Sequence, residues 1–210
     1  MNRISIYLLP LLLLLPWGTA AANEEGSATA SPSLLLIAKP EMNDPRFQEA
    51  VVLVTRHGGP GTIGVILNKS TGVHLNDVFS DLPELDAQTG MIYFGGPVSP
   101  DVLTFLVDTE THPAPALTIT ENIYLAQDPD LLRALIDNPG QRSHLRVFSG
   151  HAGWATGQLE NEIERGDWWL VPLQLKYLFF DTPDKLWQTI VQELKGKWVS
   201  VPVIAPNRTV

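Results

Sequence analysis

The sequence predicts an α+β fold, and three observations point there. Apolar and β-branched runs crowd the first half of the chain, amphipathic helical segments enter mainly after residue 128, and the two do not alternate in regular βαβ units.

Leu34–Ala38 is a short apolar run closed by Lys39-Pro40, the pattern of a buried strand. Residues 50–55 are rich in β-branched side chains and read as a second strand. Gly58-Gly59-Pro60-Gly61 is turn chemistry, and residues 62–67 read as a third strand, so the two form a hairpin. Met91–Phe94 and residues 102–107 are further strands around Gly95-Gly96-Pro97-Val98, and residues 118–124, 145–148 and 168–171 complete the set. Asp128 caps a helix with Pro129 at its first position, Leu131, Leu132, Leu135 and Ile136 on one face, and Asn138-Pro139-Gly140 as its stop. Gln158–Arg165 is a short helix stopped by Gly166. Thr182-Pro183-Asp184 opens the last helix, with Leu186, Trp187, Ile190, Val191 and Leu194 on its apolar face and Gly196 as its end.

The chain's organisation follows from composition. Arg3, a Leu-rich core and small residues at Ala20 and Ala22 make residues 1–22 read as a secretory signal peptide with cleavage near Ala22, the alternative being an uncleaved membrane anchor. Its apolar core is about a dozen residues, short of the roughly 20 that a spanning helix needs, so no stable membrane span is expected after cleavage. Residues 23–33 read as a flexible linker, 34–203 as a single domain and 204–210 as a loose tail. A domain of that size buries about 70% of its unfolded surface and needs no staples. The chain has no cysteine, which excludes disulfides, thiolate chemistry and lipid attachment to a cysteine. With 14 Lys and Arg against 23 Asp and Glu, a formal net charge of −9, its field is wrong for phosphate backbones, and nucleic acid is not expected as a partner.

Gly59-Pro60-Gly61-Thr62-Ile63-Gly64 spells G-x-G-x-x-G, but Val65-Ile66-Leu67 continues as a strand, whereas dinucleotide binding needs a helix there. The five histidines show no metal-ligand spacing, and neither metal nor cofactor is expected. Ser149-Gly150-His151-Ala152-Gly153 lacks the glycine two residues before the serine that a nucleophile elbow needs. Glu160, Glu162 and Glu164 read as a solvated helix face. The glycine-rich turns at Gly95-Gly96-Pro97 and Gly150–Gly157 each follow a strand. They read either as close packing of irregular backbone or, with Trp154 beside them, as the wall of a ligand pocket.

Several strings together resemble the YqgE/AlgH family. They are Leu36-Ile37-Ala38-Lys39-Pro40 with Asp44-Pro45-Arg46-Phe47; Val51–Val54 with His57; and Gly64-Val65-Ile66-Leu67-Asn68. Gly95-Gly96-Pro97-Val98 and Phe148–Trp154 with Gly157-Gln158-Leu159-Glu160, Glu162-Ile163 and Gly166-Asp167-Trp168 complete the match. The resemblance spans residues 34–194. It implies a bifurcated β-sheet with a small barrel-like part surrounded by helices, and no particular activity. Some family members carry a transcriptional-regulator label tied to alginate production. This chain departs from the pattern in its N-terminal extension, which argues against acting on a promoter, and in His151, where the family more often has Tyr.

Three functions follow as expectations. The first is an exported, non-enzymatic binding module, periplasmic or secreted, that takes a small molecule or an envelope protein at Asn68, Gly95, Gly96, Pro97, Gly150, His151, Gly153, Trp154 and Gln158. The second is the regulator implied by the family label. The third is a hydrolase using Ser149 and His151.

Overall fold

The computed structural model describes residues 33–56, 61–79, 81, 82, 85 and 90–199. The signal peptide, the linker up to residue 32, the tail, and the His57–Pro60 part of the hairpin turn lie outside them. Among the described residues the elements run β1 (Leu34–Ala38), β2 (Val51–Arg56), β3 (Thr62–Ile66), β4 (Ser70–His74), α1 (Leu75–Val78), β5 (Met91–Phe94), β6 (Val98–Asp108), β7 (Leu117–Thr118), β8 (Ile123–Ala126), α2 (Pro129–Asp137), β9 (His144–Trp154), α3 (Gln158–Arg165), β10 (Trp168–Pro172) and α4 (Leu186–Val199).

The strands form one strongly curled, largely antiparallel half-barrel sheet in the order β10-β1-β2-β3-β9-β6-β8-β7. It forks at β9. Residues Val147, Phe148 and Ser149 pair in parallel with β5, which carries β4 on its far side, and Ala152, Gly153 and Trp154 then pair with β3. This is the bifurcated sheet that the resemblance implies.

The unbroken apolar runs of β1 and β2 have a direct cause. Side chains alternate across a strand, and both faces of this part of the sheet are covered. Leu35, Ile37, Val51 and Leu53 pack with Leu186, Ile190 and Val191 of α4. Leu36, Ala38, Val52 and Val54 pack with Leu159 of α3 and with Trp154 and Trp168. A third cluster lies under α2, where Leu132, Leu135 and Ile136 meet Phe105, Val107 and Val147. The Asp128 carboxylate accepts the Leu131 N–H at 2.8 Å and caps α2 as the sequence predicts. No helix among the described residues is long and apolar enough to cross a membrane.

Several elements differ from expectation. β4 and α1 were invisible because Ser70–Val73 is exposed on both faces and has no apolar alternation. The predicted strand at 118–124 splits into β7 and β8 about a tight turn, closed by the Ile119 N–H to the Ile123 carbonyl at 2.8 Å. β6 begins earlier, at Val98, and β9 runs on through the glycine-rich stretch to Trp154. Finally, α4 continues through Gly196 to Val199. A helical glycine costs only about 1 kcal/mol relative to alanine, too little to end a packed helix.

Candidate functional site

The structure sorts the nine candidate residues into four places. Asn68 is a clamp: its Oδ1 accepts the Val51 N–H at 2.8 Å and its Nδ2 donates to the Glu49 carbonyl at 2.9 Å. Glu49 has φ of 54°, so the amide secures a left-handed residue at the entrance to β2. Gly95, Gly96 and Gly150 form a backbone crossing. A Cβ on Gly150 would lie 2.6 Å from the Gly96 carbonyl oxygen and 2.7 Å from that of Val98, and one on Gly96 would strike the His151 and Ala152 backbone. These glycines let β9 bend past the β5–β6 connection, which is the close-packing reading of the two.

Pro97, Gly153, Trp154 and Gln158 do come together, in a cleft of about 530 Å³ between α3 and the β1–β2 connection. Its centre is Glu162, which the sequence reading placed on a solvated face. Glu160 and Glu164 are solvated, but Glu162 is tied down. Its Oε2 accepts both indole N–H groups, from Trp154 at 2.9 Å and Trp168 at 3.0 Å, while Oε1 accepts the Gln158 amide at 3.0 Å. One carboxylate thereby fastens α3 to the ends of β9 and β10. Spacing explains the difference: Gln158 and Glu162 stand one turn apart, facing the sheet side of α3. Trp154 and Trp168 are 4% and 2% exposed, so their rings form the buried floor rather than an open wall. Phe47 covers them edge-on and tilted, with ring centroids 5.7 Å from Trp168 and 6.2 Å from Trp154.

The rim is charged and paired. The Arg46 guanidinium binds both oxygens of Asp44, at 3.0 and 2.6 Å, and that hydrogen bonding holds the Asp44 carboxyl below its usual pKa. Arg165 pairs with Asp167 at 2.7 Å where α3 turns into β10. Sequence reasoning did not place Asp44, Arg46, Phe47, Glu162 or Trp168 in a site. The signal was present in the strings Asp44-Pro45-Arg46-Phe47 and Gly166-Asp167-Trp168, which lie too far apart for spacing to join them.

His151 lies elsewhere, in a trough of about 460 Å³ with Ile63, Leu117, Leu125 and Gln127. Burial lowers its pKa below the ordinary histidine value, so the ring is neutral at pH 7. The Ser149 hydroxyl donates to the Pro100 carbonyl at 2.5 Å, and the contact made by the His151 ring is to Gln127, so the two do not form a nucleophile–base pair. G-x-G-x-x-G leads into β3, as the strand reading requires. Among the described residues no group of three or more His, Asp or Glu side chains converges.

A forked, curled half-barrel sheet with an indole–carboxylate clamp at one end defines a mixed α/β protein of a distinct type. A family model described as AlgH-like matches residues 35–199, and the chain belongs to that family. It is 38% identical over 152 residues to a UPF0301 protein of Chromobacterium violaceum, covering 70% of this chain and 81% of that protein. It is 30% identical over 173 residues to a UPF0301 protein of Chlamydia abortus, covering 82% and 91%. The fold resembles the solution structure of the AlgH protein from Pseudomonas aeruginosa, with a TM-score of 0.65 and 26% identity over 89% of this chain and all of that one.

Proposed function

We propose that the protein is an exported, non-enzymatic binding module that holds a ligand in the cleft over Trp154, Glu162 and Trp168. The observation that carries this reading is the state of the cleft's charges. Glu162 is occupied by three donors, and Arg46 and Arg165 each hold a carboxylate, so the cleft offers a preorganised surface rather than a group poised for proton transfer. Its open lining combines apolar patches on Phe47, Pro97 and Val98 with ion pairs at the edge, a surface suited to a ligand with an apolar centre and polar ends. Export rests on the signal-peptide pattern at residues 1–22.

Two measurements test the two halves. Cell fractionation with intact-mass analysis is expected to recover a periplasmic protein beginning near Asn23, and a full-length cytoplasmic protein would remove export. For binding, the purified protein is screened by melting shift against a library of small amphipathic compounds. Hits are expected to alter tryptophan emission and to fail with Phe47→Ala. Hits that survive Phe47→Ala place the ligand elsewhere, and a hit recovered chemically changed by the protein overturns the non-enzymatic reading.

Glu162→Ala tests the clamp itself. It leaves two buried indole N–H groups without an acceptor and is expected to cost about 2 kcal/mol, read as a lower urea midpoint with altered tryptophan emission.

A further inference from the structure

The His151 trough is a second site, separate from the cleft. Five adjacent strands contribute to it: Ile63 from β3, His151 from β9, Thr104 from β6, Leu125 and Ala126 from β8, and Leu117 from β7. Its volume of about 460 Å³ falls within the roughly 300–1,000 Å³ of small-molecule pockets, which favour the mouths of curled sheets. The walls are apolar and one end is polar.

That polar end has a defined hydrogen-bonding pattern. Gln127 Nε2 donates to the Thr104 hydroxyl at 2.9 Å and stands 3.5 Å from His151 Nδ1. With Nδ1 accepting, the neutral imidazole carries its proton on Nε2. Among the described residues, this leaves His151 Nε2–H as a donor and Gln127 Oε1 as an acceptor with no protein partner. Exchanging the oxygen and nitrogen of the Gln127 amide reverses the two roles and still leaves one donor beside one acceptor. The pattern therefore does not depend on how the amide is assigned.

We propose that this trough binds a small neutral compound whose apolar ring or chain ends in a carboxamide. A carboxamide returns an acceptor to the donor and a donor to the acceptor, and its body fills the space over Leu117 and Leu125. A carboxylate supplies only acceptors and an ammonium only donors, so each leaves one protein group unmatched in a half-buried setting. Asp128 at the rim adds repulsion against the carboxylate.

Four probes with one body and different ends test this: benzamide, toluene, benzoate and benzylammonium. Binding is followed by NMR shifts of the His151 ring and of the Leu117 and Leu125 methyls. Benzamide is expected to bind about tenfold more tightly than toluene, the effect of two modest hydrogen bonds. His151→Phe and Gln127→Met are each expected to bring benzamide toward the toluene value while leaving toluene binding nearly unchanged. His151→Phe also leaves the melting temperature nearly unchanged, whereas Gln127→Met lowers it by removing the donor to the buried Thr104 hydroxyl. Phe47→Ala, a cleft variant, is expected to leave benzamide binding as it is. The proposal is overturned if toluene or either charged probe binds as tightly as benzamide. It is equally overturned if both trough variants bind benzamide normally, or if about 20 mM benzamide moves none of these signals.

Discussion

Gly96→Ala is expected to yield no soluble folded protein, or one destabilised by about 4 kcal/mol, a large share of the roughly 5–15 kcal/mol that keeps a domain folded. Two costs add. Gly96 has φ of 147°, a region that a residue with a Cβ enters at a cost of about 1–3 kcal/mol. The new methyl would also overlap the His151 carbonyl and the Ala152 nitrogen, which belong to the backbone of β9 and cannot rotate away. The crossing sits where β9 leaves β5 for β3, so a displacement there breaks the fork and parts the cleft from the rest of the sheet. Two controls separate the costs. At Gly72, with φ of 75° and nothing within 4 Å of an added Cβ, alanine is expected to show the backbone cost alone. At Gly140, equally open and with no such φ, alanine is expected to be neutral. A Gly96→Ala protein that melts like the Gly72→Ala protein would show that β9 has room to shift, and the crossing argument would fail.

The same segment shows where sequence reading reaches its limit. Leu34–Ala38 and Met91–Phe94 were legible as short apolar runs beside turn residues, and α2 and α3 because burial there follows a period near 3.6. At Gly95, Gly96 and Gly150 the sequence shows only that close approach is permitted. Which backbone approaches which is a property of the fork, fixed by pairings between residues about 55 apart in the chain. The cleft was half legible for the same reason. Trp154 and Gln158 belong to one string, but the groups that complete their environment, Phe47 and Trp168, reach them from β1–β2 and β10. His151 was grouped with Trp154 because the two are three residues apart on one strand, whereas the neighbouring strands place them in different cavities.

Arg146→Ala is expected to cost about 4 kcal/mol, and it tests a residue that no motif or periodicity singles out. Arg146 is 2% exposed, near the start of β9. Its guanidinium donates to the carbonyls of Leu178 at 3.1 Å and Phe180 at 3.0 Å and lies 5.1 Å from the Tyr93 ring centroid, while burial pushes its pKa down. Those carbonyls follow a 3-10 turn at Leu175–Tyr177 and are outside any strand ladder, so a long donor from the sheet is what reaches them. Truncation leaves both carbonyls unmatched and opens a cavity beside Tyr93. Arg146→Met fills the cavity without supplying donors and is expected to cost about 2 kcal/mol, the hydrogen-bonding part alone. Arg146→Lys is expected to fall between methionine and wild type, because a compact ammonium does not reproduce the planar fork that spans two acceptors. Urea unfolding gives the order directly. Methionine as stable as arginine would mean that the buried cation is not what holds the 178–180 segment. The tether also bears on the cleft: the segment leads into α4, whose Trp187 indole donates to the Ala38 carbonyl at 2.7 Å, and Ala38 pairs with Trp168 across β1 and β10. Loosening Arg146 is therefore expected to shift tryptophan emission before global unfolding, a change that a purely local cavity would not produce.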